Sequence, residues 1–246
     1  CSMKRHFSKI KNIHFVGIGG IGMSALAQHM AREGHAVTGS DIAESGVTRM
    51  LSEQGIKVFL GHDAKNVGEA QLCVRSGAVH DDNAELVYCK ENGIKIISRE
   101  KLLGLIFNSH AKKIAVAGSH GKTTTCGMLA AALAKAGLNP TAFIGGLTKK
   151  GNYISGGETC IVEACEYKAS FLTLSPDIGV LLNVDTDHLD YYKDLLGVEK
   201  GFNRFARRIN KDGFAVFNGD QIPYYILKSV EAKCISYGFG KENDYR

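Results

Sequence analysis

Residues 13–24 are I-H-F-V-G-I-G-G-I-G-M-S, and this stretch decides the fold class predicted for the first part of the chain. The apolar run at residues 13–18 predicts a β-strand, and the amphipathic residues 22–33 predict a helix directly after it. The loop between them has the pattern G-x-G-x-x-G, whose glycines permit a tight turn and let backbone N–H groups approach a diphosphate. A strand, a glycine-rich loop and a helix in this order are typical of a Rossmann-like domain.

The alternation of short β-branched runs and amphipathic stretches continues to about residue 107. It indicates an α/β fold built from repeated βα units around a parallel sheet. A polar break at residues 108–110 then precedes a second glycine-rich loop, so we predict two domains, residues 1–110 and residues 111–246. The further elements predicted in the first domain are strands at residues 36–40, 57–59, 72–75 and 95–97 and helices at residues 47–54, 84–91 and 99–107.

The first glycine-rich loop is a candidate anion site. Its candidate ligand-binding residues are Gly17, Gly19, Gly20, Ile21, Gly22 and Asp41. The N-terminus of the following helix favours a phosphate group, and Asp41 ends the second strand, where this fold usually places a side chain that contacts a ribose. The loop alone leaves open a dinucleotide or another diphosphate compound. An NAD-linked oxidoreductase is therefore one alternative at this point.

The second loop, G-S-H-G-K-T-T-T at residues 118–125, follows the apolar strand predicted at residues 114–117 and opens the helix predicted at residues 122–135. Only two residues separate its first glycine from the G-K pair, so it is a shortened relative of the Walker A loop. Backbone N–H groups and a lysine here can hold nucleotide phosphates, and a threonine hydroxyl can bind Mg²⁺. The candidate nucleotide-binding residues are Gly118, Ser119, His120, Gly121, Lys122, Thr123 and Thr124.

Acidic and polar side chains follow the later strands of the second domain. Glu163 ends the strand predicted at residues 159–163, and D-T-D-H-L-D at residues 185–190 follows the strand predicted at residues 179–183. Both segments should emerge at the carboxyl edge of the sheet, where α/β proteins bind ligands. Mg²⁺ prefers oxygen ligands, which favours Glu163 as a metal ligand. Glu166 is either a second acidic group of this site or an exposed loop residue.

Four motifs in this order resemble those of the Mur ligase family. They occupy residues 13–24, residues 115–125, E-A-C-E-Y at residues 163–167 and L-N-V-D-T-D-H-L-D-Y at residues 182–191. The resemblance implies a Rossmann-like domain that binds the UDP part of the substrate, followed by a P-loop-type α/β domain that binds ATP and Mg²⁺. It also implies that the third, C-terminal domain of the family is absent from this chain.

The resemblance also implies roles for single residues. Lys122, Glu163, His188 and Asn183 would form the catalytic set, with Asn183 close to the reacting groups. Thr123, Glu163 and His188 would be the metal ligands. The substrate carboxylate would attack the γ-phosphate of ATP, and the amine of the amino acid would then displace phosphate from the acyl phosphate. The implied partners are UDP-N-acetylmuramate and L-alanine, in peptidoglycan precursor synthesis.

Other features of the sequence qualify this resemblance. His62 and Ser76 resemble positions that line the family's uridine pocket, whereas Cys165 and Tyr167 stand where the commoner metal motif, E-A-D-E-S, has Asp and Ser. A ligase that recycles a ready-made tripeptide onto the same sugar nucleotide is the nearest alternative, and the loop G-I-G-G-I-G-M-S favours the alanine-adding members. A non-catalytic UDP-sugar-binding module is a further alternative.

Composition excludes several classes of protein. The net charge of +5 is mild and its Lys and Arg residues are scattered, which argues against a nucleic-acid-binding protein. No apolar run reaches the length of about 18 residues that a membrane span needs, and residues 1–11 do not resemble a secretory signal, so we expect a cytoplasmic protein. Seven cysteines without a C-x-x-C pair predict reduced thiols. The polar residues 243–246, with no final strand predicted, suggest truncation, and the sequence does not fix the oligomeric state.

Overall fold

The computed structural model describes residues 7–148, 151–185 and 189–246. These residues form two compact units. The first unit comprises Cys1–Ser109 together with Gly146–Tyr153, and the second comprises His110–Gly145 together with Ile154–Arg246. The division therefore differs from a single boundary near residue 110, because an eight-residue segment from the second half of the chain belongs to the first unit.

The first unit contains a five-stranded parallel sheet with the strand order β3-β2-β1-β4-β5. The chain leaves β1 in one direction to reach β2 and β3 and returns to the other side of β1 for β4 and β5. The carboxyl ends of β1 and β4 therefore flank the crevice in which such folds bind ligands. The elements are β1 (Asn12–Val16), α1 (Ile21–Arg32), β2 (Ala36–Asp41), α2 (Gly46–Glu53), β3 (Lys57–Leu60), β4 (Leu72–Arg75), α3 (Ala84–Glu91), β5 (Lys95–Ser98) and α4 (Arg99–Ser109).

Two helices of the first unit begin at side-chain caps. Ser45 and Thr48 form a capping box at α2, and the side chain of Asn83 accepts hydrogen bonds from the backbone N–H groups of Glu85 and Leu86 at α3. Such caps satisfy N–H groups that a helix cannot pair internally. The cap at α3 places Glu85 in the first turn of the helix, beneath the carboxyl edge of the sheet.

A seven-stranded sheet has the order β12-β11-β10-β6-β9-β7-β8. Its strands belong to the second unit, except the end of β7 and most of β8, which lie in the segment Gly146–Tyr153. The strands from β12 to β7 pair in parallel. The elements from residue 112 onward are β6 (Lys112–Ala117), α5 (Lys122–Lys135), β7 (Thr141–Thr148), β8 (Gly151–Ile154), β9 (Thr159–Glu163), β10 (Ile178–Leu181), α6 (Leu189–Tyr192), α7 (Leu195–Ala206), β11 (Phe214–Asn218) and β12 (Lys233–Tyr237), with 3-10 helices at Tyr167–Thr173 and Tyr224–Leu227. A further 3-10 helix, Ala64–Asn66, lies in the first unit.

Four strands of this sheet, β7, β8, β11 and β12, were not predicted. Gly145 and Gly146 interrupt the apolar run of β7, and glycine weakens the strand signal. The expectation that no strand lies near the end of the sequence was wrong, because β12 pairs with β11 at the edge of the sheet and Tyr245 bridges to Tyr237. The fold class is the predicted one: both units are α/β, with parallel strands and flanking helices.

The cysteines of the described residues carry free thiols, as predicted. Cys73, Cys89, Cys126 and Cys160 are buried, and burial raises the pKa of the Cys126 and Cys160 thiols. A buried neutral thiol is unreactive, so Cys126 and Cys160 serve as small core residues. Throughout the part of the chain that the structure describes, every helix is too short or too polar to cross a bilayer.

Candidate functional site

The glycine-rich loop of the first unit turns sharply at the end of β1. Gly17 has a φ of +81°, and a methyl group on it would lie 2.9 Å from the Cβ of Ser76. The backbone N–H groups of Gly17 and Ile18 both donate to the carbonyl oxygen of Ser40 at 2.9 Å. Only glycine fits this left-handed and crowded position, so the loop is held against the ends of β2 and β4.

A cavity of about 480 Å³ lies at this carboxyl edge. Five of the predicted substrate-binding residues line it, namely Gly17, Gly20, Asp41, His62 and Ser76. Ala78, from the same predicted turn as Ser76, also lines it, and the remaining lining residues, which the sequence did not single out, are Ile42, Val79, His80, Asp82 and Asn83. The structure therefore brings together residues from four separate loops into one concave site, large enough for a nucleotide-sized group.

The other predicted residues of this loop support the cavity from outside its lining. Asp41, which lines the cavity, also holds the loop, because its Oδ2 accepts a hydrogen bond of 2.8 Å from the N–H of Gly19. The carbonyl oxygen of Ile21 accepts a 2.6 Å hydrogen bond from the side chain of Asn152. The guanidinium of Arg99, which the sequence analysis did not consider, lies against Gly22. These contacts therefore hold the backbone of the glycine-rich loop in a fixed conformation beside the cavity.

Glu85 is a buried acid below this cavity that the sequence analysis missed. Its side chain is 0% exposed, and it accepts hydrogen bonds from Ser40 Oγ at 2.5 Å and Asn66 Nδ2 at 2.8 Å. Burial alone would raise its pKa, but the hydrogen bonds from Ser40 and Asn66, together with the nearby His14 ring, outweigh burial and lower the pKa to about 2. Glu85 is therefore an ionised carboxylate in the interior.

The second glycine-rich loop joins β6 to α5, with Gly121 as the N-cap of the helix at a φ of +84°. The ammonium group of Lys122 folds back onto this loop and donates to the carbonyl oxygens of Gly118 and Ser119. It also contacts both carboxylate oxygens of Glu166, at 3.0 and 3.2 Å. The side chain of Glu166 is 1% exposed, so the prediction that it is an exposed loop residue is wrong. Glu166 is a buried partner of Lys122.

Glu163 and Thr123 form a pair of oxygen donors beside Lys122. The hydroxyl of Thr123 donates to Glu163 Oε2 at 3.1 Å, and the backbone N–H of Gly145 donates to Glu163 Oε1 at 2.6 Å. An adjacent carboxylate and hydroxyl fit the oxygen chemistry that Mg²⁺ prefers. Within residues 7–148, 151–185 and 189–246, the structure shows no group of three His, Cys, Asp or Glu side chains placed to hold a metal. Phosphate oxygens and water would supply further ligands to a Mg²⁺ ion held by this pair.

Asn183 braces the second loop from the end of β10. Its Oδ1 accepts a 2.7 Å hydrogen bond from the backbone N–H of His120, and its Nδ2 donates to the carbonyl oxygen of His120 at 3.1 Å. Ser119 Oγ accepts from the N–H of Asp185 at 2.9 Å. Thr124 is exposed in the first turn of α5. His188 lies outside the described residues, so its predicted metal and catalytic roles stay predictions.

Models of two protein families match this chain. The Mur ligase family catalytic domain matches residues 12–111, and the Mur ligase middle domain matches residues 116–246. The second match alone covers more than half of the chain, and each match contains one of the two glycine-rich loops. The chain belongs to the Mur ligase family.

Among the family's curated members, the UDP-N-acetylmuramate--L-alanine ligase of Caldanaerobacter subterraneus subsp. tengcongensis is 43% identical over 99% of this chain and 54% of its own length. The crystal structure of the UDP-N-acetylmuramate-alanine ligase of Thermotoga maritima is 32% identical, with a TM-score of 0.83 over 94% of this chain and 53% of that one. A UDP-N-acetylmuramate:L-alanyl-gamma-D-glutamyl-meso-diaminopimelate ligase from Neisseria meningitides is 29% identical, with a TM-score of 0.85 over 94% of this chain and 78% of that one. The chain spans about half the length of the curated relatives it matches.

Proposed function

We infer that this chain is the UDP-substrate-binding and ATP-binding part of a cytoplasmic ligase that joins L-alanine to the carboxylate of UDP-N-acetylmuramate. The observation that carries this inference is the identity of 42–44% to curated UDP-N-acetylmuramate--L-alanine ligases over 90–99% of the chain. Two phosphate-type loops in one chain agree with it, because the reaction needs a nucleotide-linked substrate and ATP. An NAD-linked oxidoreductase accounts for the first loop only.

In the proposed reaction, a carboxylate oxygen attacks the γ-phosphorus of ATP, and the bond from that phosphorus to the β-γ bridging oxygen breaks to release ADP. The amine of L-alanine then attacks the acyl carbon, loses a proton and expels inorganic phosphate, which leaves an amide. Negative charge accumulates during phosphoryl transfer, so cationic groups must neutralise it. Lys122 supplies one charge, and a Mg²⁺ ion held by Thr123 and Glu163 would supply Lewis-acid stabilisation.

The two sites are tested separately by calorimetry of this chain with UDP-N-acetylmuramate and with ATP, with and without Mg²⁺. Gly19→Val places a side chain within about 3 Å of Asp41 and Thr48 and should abolish binding of the sugar nucleotide but not of ATP. Lys122→Ala should do the reverse. Matched controls are Gly46→Val, at a position with open space, and Lys211→Ala, at an exposed lysine.

NADH binding without affinity for the sugar nucleotide would overturn the assignment of the first domain. The tripeptide ligase remains the second candidate, because the Neisseria structure superposes on this chain with a TM-score of 0.85. The alanine-adding and tripeptide ligases are distinguished in a protein that joins this chain to the remaining half of its relatives' sequence. Such a protein should release phosphate with L-alanine and not with the tripeptide.

A further inference from the structure

His62, which lines the cavity of the first unit, has one ring nitrogen committed to a buried network. Its Nδ1 lies 3.1 Å from Glu85 Oε2 and 3.0 Å from Ser40 Oγ. Glu85 lies 0% exposed in the first turn of α3, whereas the side chain of His62 is 17% exposed. The histidine therefore connects the interior carboxylate to the cavity.

The hydrogen bonds of this network fix where the proton of His62 sits. Glu85 is ionised, since its pKa is lowered to about 2, and a carboxylate can only accept hydrogen bonds. The hydroxyl of Ser40 has one hydrogen, which it donates to Glu85 Oε2 at 2.5 Å. Both neighbours of Nδ1 therefore accept, and Nδ1 must carry a hydrogen. In the neutral ring this leaves Nε2 as an acceptor.

Glu85 is held in place by partners on its other oxygen. Asn66 Nδ2 donates to Oε1 at 2.8 Å, and the backbone N–H of Asp63 donates to it at 3.4 Å. His14 Nε2 lies 3.6 Å from Oε2, beyond hydrogen-bond distance. The carboxylate thus joins the end of β2, the segment after β3 and helix α3. This arrangement fixes the orientation of the imidazole as well as its tautomer.

We propose that Glu85 is a positioning residue for substrate binding, which holds His62 in the Nδ1–H tautomer so that Nε2 accepts a hydrogen bond from the ligand in the cavity. The inference rests on the proposed function, in which that ligand is the UDP part of the substrate. The hydrogen-bond donors of UDP are its ribose hydroxyls and the imide N–H of uracil, whereas the diphosphate offers acceptors. Asp41 and Asp82, which also line the cavity, favour the same donor-bearing end of the ligand.

The tautomer is measured directly on the full chain by long-range ¹H–¹⁵N correlation of its histidines at pH about 8.5, where ordinary histidines are neutral. In the parent chain, His62 should give the Nδ1–H pattern. Glu85→Gln should shift it towards the Nε2–H form, because a glutamine amide can also donate to Nδ1. The matched control, Glu91→Gln, removes a carboxylate from the exposed end of the same helix and should leave the pattern unchanged.

Calorimetry with UDP separates positioning from a general structural role. Glu85→Gln and His62→Ala should each weaken UDP binding by roughly tenfold, and the double variant should be no weaker than His62→Ala, because residues that act through each other are not additive. Additive losses, or an unchanged tautomer and affinity in Glu85→Gln, would overturn the proposal. If Glu85→Gln does not fold, Glu85→Asp is compared instead, since it retracts the carboxylate by one methylene and should show the same losses in part. If the tautomer of His62 depends on Glu85 but the chain binds no UDP, both the proposed function and the role of Glu85 in substrate binding are refuted. Glu85 then only orients His62 within the buried hydrogen-bond network.

Discussion

Replacing Glu166 by glutamine should tighten the binding of ATP to this chain in the absence of Mg²⁺. Lys122 has three N–H groups, and in the structure they are taken by two loop carbonyls and by Glu166. A phosphate must draw the ammonium away from the carboxylate, or bind beside a neutralised pair. Unit charges 3.0 Å apart attract by about 5 kcal/mol at an effective dielectric constant of about 20.

A shift of the ammonium to about 6 Å would halve that attraction, a loss of about 2–3 kcal/mol, equivalent to roughly 30- to 150-fold in affinity. This range is an upper bound, because glutamine still offers Lys122 a carbonyl oxygen. The affinity is measured by titration of ATP in EDTA, and the far-ultraviolet circular dichroism checks the fold. Glu231→Gln, at an exposed acid of the same unit, is the charge-matched control. Equal or weaker ATP binding by folded Glu166→Gln would show that the reasoning is wrong and that Glu166 helps to place Lys122 for the phosphates.

Three further predictions concern other parts of the molecule. The pKa of Glu85 is lowered to about 2, so the ionised carboxylate should add about 3 kcal/mol to the free energy of unfolding. This stabilisation should be present above pH about 4.5 and lost as the pH falls towards 2. In denaturant unfolding, the free energy of unfolding of Glu85→Gln should therefore depend less on pH over this range. Phe171→Ala should cost about 3–5 kcal/mol of unfolding free energy, because the ring is buried and stacked on Phe205 at 5.1 Å, whereas Phe239→Ala, 98% exposed, should change it little. The ratio of the ATP affinities with and without Mg²⁺ measures how much the metal enhances binding. Glu163→Gln should reduce this ratio by roughly tenfold.

Local periodicity predicted most of the first sheet, since each of its strands is a short apolar run bounded by polar or glycine residues. It failed for β7, where Gly145 and Gly146 interrupt the run, although the strand is paired with β9. The backbone N–H of Gly145 is used to bind Glu163, so the residue that obscures the strand also serves the candidate site. Residue propensities are local and do not include such long-range strand pairing.

The candidate sites were predictable where their residues follow strands directly. Thr123 and Glu163 meet at the carboxyl edge of the second sheet because their strands are neighbours. Glu85 was not predicted, and Glu166 was left between two alternatives, because the importance of both comes from burial against partners tens of residues away. The helix A-E-L-V-Y-C-K-E around Glu85 resembles any surface helix in sequence, and the Asn83 side chain that caps it in the structure was not singled out.

The assignment of residues 146–153 to the first unit has a consequence for dissecting the protein. Asn152, 0% exposed, bonds to Ile21, Ser24 and Gln28 of α1, and Tyr153 bonds to His29 of the same helix. A fragment that stops at Ser109 would uncover these polar groups and part of the surface behind the glycine-rich loop. No single cut in the chain therefore separates the two units cleanly. A gene encoding the first unit alone should join residues 7–109 to 146–153 through a short linker.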